Sequence, residues 1–194
     1  KLLRDSDYDI AAFMETVLLS KDFYSQASVA TRIKPPVELL ISTYKKMGLT
    51  AVPGIPDFNE QSEMLGQKLF YPPNVAGWPG QREWISSTTY SYRGGFTDSL
   101  LSGKRYNGVA VTSKLDPIPF ARTFSNSEKA IEFVDELVGL ALRFPLSDTR
   151  RKFLLDTLLD GTIAANWNTY TANSDARVNK FLKALMRLPE YQLC

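Results

Sequence analysis

The sequence predicts a mostly α fold: an irregular helical domain with a long ordered Pro/Gly/Trp-rich loop and at most a short strand pair. Three observations lead there. Apolar residues recur at helical spacing in six separate stretches. Two other stretches gather prolines and glycines, so that neither helix nor strand continues through them. Only residues 109–112, after the turn signal of Asn107 and Gly108, read as a strand.

The elements follow in order. Residues 7–20 carry Ile10, Phe13, Met14, Val17 and Leu18 on one face, with Ser6 or Asp7 as cap. Residues 35–47 form a second helix: Pro35 and Pro36 open it, where a missing N–H costs little, and Gly48 stops it. Asn59 caps a third, running to about Phe70. Residues 71–86 are irregular, and Ser and Thr at 86–89 start a short helix toward Tyr92. A second irregular stretch covers about 103–125. Three helices then close the chain, over about 127–143, 148–160 (capped by Ser147, stopped by Gly161) and 174–188, where Pro189 ends the last. The whole of 1–194 reads as a single helical domain, a fragment of a larger protein because it opens at Lys1 without an initiator methionine. It divides into front helices 1–70, a loop-rich middle 71–125 and back helices 126–194, sharing one core.

Composition removes several kinds of chemistry. With 44% hydrophobic and 23% charged residues, 194 residues are ample for a packed core. Cys194 is the single cysteine, so no intrachain disulfide forms and the redox compartment stays open. There is no histidine, which removes Ser-His-Asp and Cys-His catalysis and His-ligated metal sites. No cofactor is expected, and a single transition-metal ligand set is not in sight. A net charge of +2 without a basic stripe argues against nucleic acid, and no apolar run approaches a membrane span.

The candidate site is the loop at 66–96. Seven aromatics fall between 70 and 96, two of them tryptophans. They read first as a small core under a long loop, and second as a recognition surface for a protein or carbohydrate. Asn74, Gly77, Trp78, Pro79, Gly80 and Trp84 are its key residues. Trp78 is expected to insert between helices, with Gly77 and Gly80 letting the backbone bend closely around the indole, Pro79 restricting Trp78, and Asn74 turning the chain through its own side chain. Glu38 serves either the dipole of its helix or a buried ion pair with Arg93 or Arg82. Arg150, Arg151 and Lys152 crowd the wrong end of their helix. Asp57, Glu60 and Glu63 suit capping better than acid/base work, and Ser86 and Ser87 have no histidine to activate them.

Residues 17–24 (VLLSKDFY), 33–39 (IKPPVEL), 65–84 (LGQKLFYPPNVAGWPGQREW) and the ending LPEYQL together resemble the C-terminal half of a bacterial family, domain of unknown function 1800. Gln81 departs from it, standing where the family has a second glycine, which bears on any positive φ at that position. The resemblance implies a larger, mostly helical protein with an export signal, hence a periplasmic or extracellular location. It brings no established activity. Two functions stay open: a noncatalytic helical module that binds a partner or completes the fold of a missing N-terminal part, and the C-terminal portion of an enzyme, such as a hydrolase, whose catalytic groups lie upstream.

Overall fold

The computed structural model describes residues 1–49, 58–103 and 114–194. Helices α1 (Leu2–Asp5) and α2 (Ile10–Leu18) lead, followed by α3 (Pro36–Lys46), α4 (Phe58–Met64), α5 (Ser87–Ser102), α6 (Pro117–Ala121), α7 (Ala130–Ala141), α8 (Asp148–Leu159) and α9 (Ser174–Met186). Short 3₁₀ turns occur at Gln81–Trp84, Ala164–Asn166 and Pro189–Gln192. No strand is present among the described residues; the one extended pairing is an isolated antiparallel bridge between Ile33 and Leu193. The expected strand at 109–112 lies outside the described residues, as does Asp57.

Local chemistry sets the helix ends. Asp9, rather than Ser6 or Asp7, caps α2: its Oδ1 accepts from the N–H of Ala11 at 2.9 Å, while Asp7 and Tyr8 turn through positive φ before it. The third helix stops at Met64, six residues short of the expected Phe70. Gly66 sits at φ +96°, and the N–H groups of Gly66 and Gln67 donate to the carbonyls of Glu63 and Ser62. This doubled closure needs a left-handed residue, which glycine supplies. In contrast, α5 is far longer than the short helix expected after 86. Ser86 and Thr89 form a reciprocal capping box, and the helix runs through Gly94 and Gly95 to Gly103 at φ +70°. A glycine pair reads locally as a breaker, but both sit where tertiary neighbours approach the helix: Gly95 is buried, and a Cβ on Gly94 would meet the Arg187 guanidinium at 3.7 Å. The segment expected to be irregular at 103–125 contains α6, opened by Pro117.

The main core lies between the last helices. α9 presents Val178, Phe181, Leu182 and Leu185, all with no exposed surface, to α5, α6 and α8. Phe133 and Leu137 of α7 and Leu154 and Leu158 of α8 complete it. Trp167 stacks on Phe133 at 6.2 Å and 14°, and its Nε1 donates to the carbonyl of Ser127 at 2.9 Å. A smaller cluster joins Leu40 and Tyr44 of α3 to Leu65 and to Phe96 and Leu100 of α5. The crowded cations at the start of α8 are each matched: Arg151 forks onto Asp135, Lys152 meets Asp156, and Arg150 lies 3.5 Å from Glu190. The front is different. α1 and α2 bury no residue, and Ile10, Met14, Leu18, Leu19, Phe23 and Tyr24 are exposed.

Candidate functional site

The loop itself is mostly open. Phe70, Tyr71 and Val75 are exposed, as is Tyr90. Asn74 turns the chain, its Oδ1 accepting from the N–H of Ala76 at 2.8 Å and its carbonyl from Gly77 at 3.1 Å. Gly77 needs its residue type for φ +93°, but a Cβ at Gly77 or Gly80 would meet nothing within 4 Å, so no close approach to an indole explains either. Trp78 and Pro79 are half-buried, and the Trp78 Nε1 is enclosed without a partner. The tryptophan that packs inward from this loop is Trp84, 5% exposed, whose carbonyl accepts from the Thr89 hydroxyl.

Gln81 adopts φ +59°, a left-handed conformation in a residue that carries a Cβ. Holding a residue with a Cβ in the left-handed region costs about 1–2 kcal/mol, partly offset by the greater freedom that glycine has when unfolded. Gln81→Gly should therefore hold or raise stability, by up to about 1 kcal/mol, whereas Gln81→Val should lose about 1 kcal/mol or more because a β-branched side chain suits that region least. Chemical denaturation of the two variants checks the sign of each change.

Arg93 is the residue around which the other motifs gather. It is 1% exposed, and it donates from Nη2 to the carbonyl of Lys34 at 2.9 Å and from Nη1 to Gln192 Oε1 at 3.1 Å. Gln192 in turn donates to the Met186 carbonyl. Around this point residues 32–34 pair with the chain end: Lys34 N–H donates to the Gln192 carbonyl at 2.8 Å and Cys194 N–H to the Arg32 carbonyl at 2.9 Å. Gln67 closes the start of α3, its Oε1 accepting from the Val37 N–H at 3.0 Å. Thus the stretches IKPPVEL, LGQKLFYPPNVAGWPGQREW and LPEYQL, far apart in sequence, meet on one seam. Glu38 is not the partner of Arg93 or Arg82. It pairs with Arg32 at 2.8 Å on the surface, where such a pair contributes about 0–1 kcal/mol.

Sequence reasoning passed over Lys34, Tyr191 and Gln192. Lys34 is 3% exposed, donates to the Tyr191 carbonyl, and lies 4.4 Å from the Tyr191 ring centre. Tyr191 is fully buried and shares a 2.8 Å hydrogen bond with Thr43. The available signal was the ending LPEYQL itself, whose tyrosine and glutamine offer polar groups beside a helix end.

Burial, and then the charge of Lys46, lowers the Lys34 ammonium to a pKa of about 8. Lys46, whose Nζ bonds the Ala141 carbonyl at 2.6 Å, is lowered by burial and by Arg143. For both, the unfolded chain binds protons more readily than the folded one. The penalty is full below the folded value and is lifted as pH rises toward about 10.4, so stability rises with pH over that window. Tyr44 and Tyr191, pushed up to about 12 by burial, act with the opposite sign and lower stability above about pH 10. The urea midpoint should accordingly climb between about pH 7.5 and 9.5, by the equivalent of about 1 kcal/mol. Lys34→Met should remove most of that climb; an undiminished climb in the variant would refute the assignment.

Chemically, the centre of the seam offers two buried cations, Arg93 and Lys34, and the neutral oxygens that they bond. No three side chains of His, Cys, Asp or Glu come together as a metal site among the described residues. No helix is long and apolar enough to cross a membrane among those residues. What fold and seam define is a mostly helical protein in which two scattered sequence motifs converge on a buried arginine. The model of the family described as "Protein of unknown function (DUF1800)" matches residues 1–193, and the chain belongs to that family. No curated protein and no solved structure matches it.

Proposed function

We propose that this chain is a noncatalytic helical module of an exported bacterial protein, which works by packing its front helices against another part of the same longer protein. The observation that carries the reading is α2. Its sequence, IAAFMETVL, is mostly apolar, yet none of its residues is fully buried, and Ile10, Met14 and Leu18 on it and Leu19, Phe23 and Tyr24 after it are exposed. A surface of that kind marks an interaction site in a soluble protein. The Arg93 seam then serves to hold the rest of the module rigid. Export rests on the family resemblance drawn from the sequence motifs.

Hydrogen exchange tests the reading. Amides at 10–24 should exchange rapidly in the 194-residue chain and at least tenfold more slowly in the product of the whole reading frame. Ile10→Asp with Leu18→Asp should leave the stability of the 194-residue chain within about 0.5 kcal/mol, since neither side chain is buried there. Equal exchange in the two proteins would show that nothing covers the front helices.

A further inference from the structure

A cleft of about 310 Å³ opens between the first half of α5 and the end of α9. Ser87, Ser91 and Gly94 line it from α5, Arg187 and Gln192 from the opposite side, and Arg93 contributes to its wall. We propose that this cleft binds an oxyanion group, carboxylate or phosphate, carried by a small ligand. The proposal is independent of what covers the front helices.

Three observations carry it. First, Arg93 is a buried guanidinium whose bonded acceptors are both neutral, the Lys34 carbonyl and the Gln192 amide oxygen, and its Nε has no partner. Burying a charge without a counter-charge is costly, and a bound anion relieves that cost. Second, Arg187 brings another guanidinium to the cleft. Its Nη2 is held by Asp98 at 2.6 Å, and it stands 3.7 Å from where a Cβ on Gly94 would be. Asp98 is shared with Lys183 at 3.1 Å, so one carboxylate faces two cations there and positive charge remains in excess. Third, Ser87 begins a helix of 16 residues, whose N-terminal turn adds partial positive charge on the same wall. Gly94 keeps the middle of the cleft open: any larger side chain there enters the space that Arg187 overlooks.

Titration calorimetry on the 194-residue chain decides the matter, with phenyl phosphate and phenylacetate as probes and phenol as the neutral control. At least one anionic probe should saturate, at least tenfold more tightly than phenol, and which of the two binds better identifies the oxyanion. Arg187→Gln should weaken that binding about tenfold. Gly94→Leu, which fills the cleft and improves helix propensity, should abolish it while the far-UV spectrum stays unchanged. The proposal is overturned if neither anion saturates, if phenol binds as well, or if binding survives both substitutions.

Discussion

Trp167→Ala should cost about 3–5 kcal/mol of stability, the range for truncating a large aromatic in a packed core. Trp167 is 3% exposed, lies parallel to Phe133, and ties the loop after α8 to the start of α7 through its bond to the Ser127 carbonyl. Alanine leaves a void beside Phe133, which also touches Phe124 and Phe181, and strips a donor from a buried carbonyl. Trp78→Ala should cost only about 1 kcal/mol, because that indole is half-buried and its N–H already lacks a partner. Urea denaturation followed by circular dichroism compares the two directly. Equal losses would mean that the aromatic loop contributes as much to the fold as the α7–α9 core.

Arg93→Ala should cost about 2–4 kcal/mol, and Arg93→Met markedly less. Alanine orphans the Lys34 carbonyl and the Gln192 amide oxygen and opens a cavity at the point where two sequence motifs meet. Methionine refills much of the volume and also removes a buried charge that no carboxylate compensates, so part of the loss is recovered. The alanine variant should also speed exchange at the Lys34 and Cys194 amides, which pair residues 32–34 with the chain end. If alanine and methionine are equally destabilising, the lost charge and hydrogen bonds, and not the lost volume, account for the cost.

The sequence by itself determined the helical class and most helix positions. The spacing of Val178, Phe181, Leu182 and Leu185, the cap at Ser147 and the stops at Gly48 and Gly161 are local signals, and local physics carries them. It also bounded the chemistry, since the absence of histidine needs no structure to be seen. Only the tertiary structure decided the rest. That α5 runs unbroken through Gly94 and Gly95 follows from Arg187 and the core approaching that face, which the helix's own residues do not announce. That Trp84 and Trp167, and not Trp78, are the inward-facing tryptophans depends on which surfaces the other helices bring to them. The sequence offers Glu38 either the dipole of its helix or an ion pair with Arg93 or Arg82. The fold instead places Glu38 at the surface beside Arg32 and gives Arg93 the oxygens of Lys34 and Gln192, 59 and 99 residues away. Charge pairing is legible only when partners are neighbours along a helix or strand; across such distances, chain packing decides which donor meets which acceptor.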